Sequence, residues 1–200
     1  TSAQLKPLVL LYLRNYIIVN DCETAAGIWE GTKRLSDYYF TVISTALASY
    51  YLPKLSSLKT NYELKKELFS GVKIIMPLFV LMAIIIYLFR NFIIVLLFSK
   101  EFMQISDLML PQLIGDFFMI LSLMIAYLML AKAMLTTFMI TQLAFAGLRI
   151  LLSTYLFNIM GIEGMIWANA INYFLYCICL ILIFKNIIFS QNEDFTHRRI

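Results

Sequence analysis

Asp116 and Arg149 are the two residues whose chemistry most needs an explanation, because each stands deep inside a long apolar run. A charge at the centre of a membrane helix costs about 2.5–3.5 kcal/mol on insertion scales, so it implies a partner or a task. Asp116 lies eight residues into the run Leu108–Leu130. Arg149 lies eight residues from the end of Thr136–Phe157. Both fall roughly 12 Å below the same membrane boundary. Equal depth predicts an ion pair or a shared polar cavity.

The neighbours of these charges follow helical spacing. Gln142, Ala146, Arg149 and Ser153 share one helix face, and Asn169, Asn172, Tyr173 and Tyr176 share another. Asp37, Thr41, Ser44 and Thr45 form a third polar stripe, with Asp37 readable either as a cavity group or as an interfacial carboxylate. A single stripe is accounted for by ordinary hydrogen bonding between membrane helices. Three stripes together with two buried charges predict a hydrated cavity. Asp37, Asp116, Gln142, Arg149, Asn169 and Asn172 are its candidate lining. No catalytic, metal or cofactor site is expected. The single histidine, His197, lies in the tail, and there is no HExxH pattern, phosphate-binding loop or Ser-His-Asp set. Cys22, Cys177 and Cys179 have neither disulfide nor metal spacing. These absences disfavour an enzyme and an ATP-driven pump.

The elements that must position such residues follow from composition. Hydrophobic residues make up 62% of the 200 residues and charged residues 14%, against about 25% charged in a soluble domain. An all-α, polytopic transmembrane bundle is the fold class this predicts. Six apolar segments can be marked. They are Ala3–Leu13, which is too short to span and reads as cut, then Leu35–Leu55, Val72–Phe89 with an interfacial Phe92–Phe98, Leu108–Leu130, Thr136–Phe157 and Glu163–Phe184. The chain starts with Thr and reads as part of a longer protein. Prolines 7, 53, 77 and 111 lie in or beside the segments and are compatible with kinked helices. Tyr38, Tyr39, Tyr50 and Tyr51 stand where aromatic belts belong.

Nine Lys and Arg residues (54, 59, 65, 66, 73, 132, 185, 198 and 199) fall on one side, and five (14, 33, 34, 90 and 100) on the other. The richer side, which includes the tail 185–200, is therefore expected to be cytoplasmic. The net charge of +4 is spread over loops. It reads as topology and as contact with membrane lipids, with no nucleic acid partner.

Several stretches resemble the lipid III flippases and O-antigen translocases, polysaccharide flippases of the multidrug/oligosaccharidyl-lipid/polysaccharide exporter superfamily. They are Gly27-Ile28-Trp29-Glu30-Gly31 with Leu35-Ser36-Asp37, then Tyr51-Leu52-Pro53-Lys54-Leu55-Ser56, Gln112-Leu113-Ile114-Gly115-Asp116 and Ala131-Lys132-Ala133. Thr1-Ser2, Pro7 and Arg14 also fit, and past Ala133 the likeness is mainly one of hydropathy. The resemblance implies one six-helix lobe, spans seven to twelve, of a MATE-like two-lobe transporter with both termini cytoplasmic. Its implied cargo is an undecaprenyl-pyrophosphate-linked glycan, either enterobacterial common antigen lipid III or an O-antigen or capsule repeat unit. Polysaccharide polymerase and chain-length regulator proteins are its implied partners. Arg14 enters the candidate site through this resemblance alone, and Arg149 through depth alone. Asp116 has both, and is expected to couple an ion or gate the path. Two rival readings are a membrane enzyme of the same pathway, which needs a large outer loop, and a membrane scaffold, which needs no buried charges.

Overall fold

The computed structural model describes residues 5–98 and 100–188. Thr1-Ser2, the first residues of the Ala3–Leu13 segment and the tail from residue 189, with His197, Arg198 and Arg199, lie outside the described residues. The described chain is helical, with no strand. Helix α1 (Leu5–Asn20) is followed by α2 (Glu23–Ala46). A π-helical turn (Leu47–Tyr51) continues α2 into α3 (Leu52–Ser57). The ladder widens just ahead of Pro53, whose missing N–H and ring clash would otherwise interrupt it. Next come α4 (Asn61–Leu88), α5 (Arg90–Leu97), α6 (Ile105–Ala131), α7 (Leu135–Ile183) and α8 (Lys185–Ile188).

Two segment ends differ from the sequence reading. The first helix continues past Arg14 to Asn20. Residues 27–34, whose Lys33 and Arg34 were counted with the loop charges, are helical. Gly27 and Gly31 gave this stretch its loop-like composition, but Gly31 packs against Ile105 and Phe98. Tertiary contact overrides its weak helix propensity. Cys22, expected in a loop, caps α2 by accepting from the Ala25 N–H.

Helix α7 is two antiparallel arms, 135–160 and 162–183, joined where Gly161 adopts φ 62° and ψ −140°. That positive-φ, extended conformation is one that glycine adopts readily and residues with a side chain rarely do. Gln142 Nε2 donates to the Tyr176 hydroxyl at 3.2 Å across the hairpin. The break falls inside the expected turn, Asn158 to Gly164.

Helix α6 is mostly apolar and the most buried of the long helices, with Leu110 among its few exposed positions. Helix α4 is the opposite case. Ile74, Leu78, Leu81, Ile84 and Leu88 are exposed on it, a face suited to lipid. Helices α4, α6 and α7 are long and apolar enough to cross a membrane. The bundle is an all-α membrane fold. Its turns alternate between two ends. Lys132 Nζ donates to Asn61 Oδ1 at 2.9 Å at one end, and the Tyr16 hydroxyl donates to Asn158 Oδ1 at 3.2 Å at the other.

The apolar core is split into two clusters. One contains Leu13, Ile17, Trp29, Ile105, Leu108 and Ile166. The other contains Leu47, Leu55, Ile120, Met124, Leu128 and Leu180. The interval between them on α6 holds Gln112 and Asp116. This polar layer positions the site.

A candidate substrate cavity

Asp116 lies eleven residues past the start of α6, and Arg149 twelve residues before Gly161. These spacings correspond to about 17 and 18 Å along their helices. The two depths match, as expected, but are greater than the sequence implied because both helices extend past their apolar runs.

Asp116 is 1% exposed. Its Oδ2 accepts from Ser36 Oγ at 2.6 Å and from the Tyr39 hydroxyl, and its Oδ1 accepts from Gln112 Nε2 at 2.8 Å. Neutral donors on α2 and α6 thus satisfy the carboxyl group. The expected direct pair with Arg149 does not form among the described residues. Arg149 is 7% exposed and its Nε has no hydrogen-bond partner among the described residues. Of the two expected alternatives, the shared cavity is the one present. A compartment of about 20 Å³ is lined by both residues and by Lys33, Asp37, Gln112 and Asn169. It has room for about one water.

Two larger compartments adjoin it. One, of about 120 Å³, lies between α1 and the two arms of α7. Lys6, Gln142, Arg149, Asn172, Tyr173 and Tyr176 are among its lining. The other, of about 320 Å³, lies between α1 and α2 and includes Arg14, Glu30, Lys33, Arg34 and Asp37. Here Arg14 Nε meets Glu30 Oε1 at 2.9 Å, and Lys6 Nζ meets Asp37 Oδ1 at 3.1 Å. Both pairs are substantially exposed. All seven candidate residues therefore line one of three adjoining compartments. Buried acceptors on Gln112, Asn169 and Asn172 also lack partners among the described residues. Orphaned groups gathered at one depth mark a place built for water or a polar ligand.

The close approach of two helices brings these groups together. A Cβ on Gly115 would stand 3.1 Å from the Ala170 Cα, so glycine lets α6 meet the second arm of α7 closely beside Asp116, where a side chain would press the Ala170 backbone away. Other expected features turn elsewhere. Thr41 and Ser44 bond carbonyl groups of their own helix, leaving Asp37 as that stripe's contribution to the cavity. Tyr39 and Tyr51 are not belt residues. Tyr39 bonds Asp116, and Tyr51 is 4% exposed in the core. Lys33 was counted as a loop charge, yet it lines two compartments, within electrostatic reach of Asp116 and Arg149. Continuing the helical period back from Asp37 through Ser36 to Lys33 is the sequence signal that identifies it.

Residues 13–107 match the model of a family described as polysaccharide biosynthesis protein. Over 110 residues the chain is 30% identical to the lipid III flippases of Escherichia coli (strain K12) and Shigella flexneri. Over these stretches the chain is similar to a polysaccharide biosynthesis family and to lipid III flippases. The aligned part covers 55% of this chain and 26% of each relative, so the chain matches about a quarter of the length of these curated relatives. No solved structure matches. The family match contains Arg14, Lys33 and Asp37 and ends at Asp107. The cavity groups of α6 and α7 lie beyond it and rest on geometry.

Proposed function

We propose that the chain forms the C-terminal six-helix lobe of a two-lobe flippase in the bacterial inner membrane. Its cargo is an undecaprenyl-pyrophosphate-linked oligosaccharide, with enterobacterial common antigen lipid III as the specific substrate. The observation that carries this reading is the charged, partly unpaired cavity at mid-depth in an otherwise apolar bundle. A pyrophosphate and a glycan cannot cross hydrocarbon unaided, because each polar group taken from water without a partner costs several kcal/mol. A helical cavity with cationic groups offers substitute partners while the lipid tail stays outside. The similarity to lipid III flippases supports the same cargo class.

In this reading Arg149 and Arg14 meet the anionic head. Arg14 must exchange its contact with Glu30 to do so. Asp116 couples an ion or gates the path through its contacts with Ser36, Tyr39 and Gln112. The role is transport, with no bond made or broken in the cargo. The C-terminus is cytoplasmic, the side from which cargo enters and from which it leaves for the outer leaflet, where polymerase and chain-length regulator proteins would receive it.

The full-length gene product, expressed in Escherichia coli cells deprived of their own lipid III flippase, should restore surface common antigen. Asp116→Asn and Arg149→Gln should each lower that export by roughly tenfold at matched membrane levels, the equivalent of one lost charged hydrogen bond. Restored O-antigen in cells deprived instead of their O-antigen flippase, without restored common antigen in the first strain, would move the cargo to a repeat unit. No restoration of either glycan by a well-inserted protein would overturn the reading.

A further inference from the structure

We infer that the compartment between α1 and the two arms of α7 is a binding subsite for a phosphorylated hexose. The inference rests on the flippase reading and adds what this chain recognises next to the charge. Arg149 and Asn172 are 7% and 4% exposed, yet Arg149 Nε and Asn172 Oδ1 have no partner among the described residues. Both line the compartment of about 120 Å³. That volume admits several waters, and hence a ligand larger than a single ion. A guanidinium at the wall suits a phosphate, which it can meet with two parallel N–H donors. Lys6 at the mouth adds a second cation, shared with Asp37.

The rest of the wall suits a sugar. Gln142 spends its amide nitrogen on the Tyr176 hydroxyl, and its carbonyl oxygen has no partner among the described residues. It therefore joins Asn172 in offering a carbonyl acceptor to a hydroxyl donor. Phe145 and Tyr176 pack with ring centroids 4.9 Å apart and, with Tyr173, supply aromatic surface. An apolar wall with a few convergent polar groups is the usual form of a small-ligand site. Charge at Arg149, unpaired carbonyl groups and aromatic surface on the walls of one compartment fit a hexose carrying phosphate better than either half alone.

Binding to purified full-length protein in detergent tests this, with glucose 1-phosphate, inorganic phosphate and glucose as probes followed by calorimetry. Glucose 1-phosphate should bind more tightly than phosphate or glucose. Arg149→Gln should weaken it roughly 10- to 100-fold, and Arg149→Lys less, if the guanidinium holds the phosphate. Asn172→Ala and Gln142→Ala should each lose roughly 2- to 10-fold of the preference for the sugar phosphate over phosphate while keeping phosphate binding. Lys66→Gln removes one positive charge far from the cavity and should change nothing. Unaltered binding by Arg149→Gln, or an unaltered sugar preference in both amide variants, would overturn the subsite. A polyprenyl-pyrophosphate-linked sugar should displace glucose 1-phosphate. Failure to displace it would keep the site but assign it to a soluble sugar phosphate, against the link to flipping. Loss of the subsite with glycan export intact would leave the flippase reading standing.

Discussion

Asp116 illustrates how a buried carboxyl group can be satisfied without a countercharge. Its Oδ2 takes two hydroxyl donors and its Oδ1 an amide. Removing one donor should therefore be felt at Asp116 more than at Arg149. In double-mutant cycles on the stability of purified protein, Tyr39→Phe and Asp116→Asn should couple by about 0.5–3 kcal/mol, as contacting members of one network do. Asp116→Asn and Arg149→Gln should couple less, since no bond joins them. Stronger coupling between Asp116 and Arg149 than between Asp116 and Tyr39 would mean that the ion pair forms after all. Arg149 is the complementary case. It is a buried cation whose Nε has no hydrogen-bond partner among the described residues, and in the proposed reading the anionic head of the cargo supplies one.

At the scale of elements, the polar layer depends on two helices touching at Gly115. A Cβ there would press on the Ala170 backbone at 3.1 Å, with no flexible side-chain end to give way. Gly115→Val should destabilise the protein by about 1–3 kcal/mol, the usual cost of overpacking a tight site. The melting temperature in detergent reads this directly, and an unchanged midpoint would show that the α6–α7 contact can relax. Helix α4 carries its own punctuation. The Thr60 hydroxyl accepts from the Glu63 N–H, and the Glu63 carboxylate reaches back to the Thr60 N–H. Its start is thus fixed by a capping box, whereas its long apolar face is left for lipid.

For the whole molecule, the alternating turns predict sidedness. The turn near Asn61 shares an end with the turn at Lys132. The turn at Asn158 shares the other end with the α1–α2 turn. Arg14, Lys33 and Arg34 lie within helices, as do Lys54, Lys65, Lys66 and Lys73 near the opposite turns, and the excess of Lys and Arg near the Asn61 end still favours that end as cytoplasmic. In a background with exposed Cys22 replaced, Met160→Cys should react with an impermeant thiol reagent added outside intact cells. Asn61→Cys should not. The reverse pattern would invert the topology and place the wrong end of the cavity toward the donor leaflet.

The sequence by itself determined the membrane class, the helical period and the outlines of most spans, because long apolar runs report burial in lipid whatever the packing. The matched depths of Asp116 and Arg149 were legible for the same reason, since helical rise converts residue number into distance. It also singled out Gln142, Asn169 and Asn172, which share faces with the charge or its depth. Tertiary structure alone decided which donors hold Asp116, because Ser36 and Tyr39 lie about eighty residues away in the chain. It alone turned Lys33 and Tyr39 inward, since the glycines that resembled a loop are packing contacts. It also separated the two charges that equal depth had suggested might pair. Depth is a one-dimensional quantity carried by each helix, whereas pairing depends on how the helices are rotated about their axes, and that is set only when small residues such as Gly115 let neighbouring helices meet.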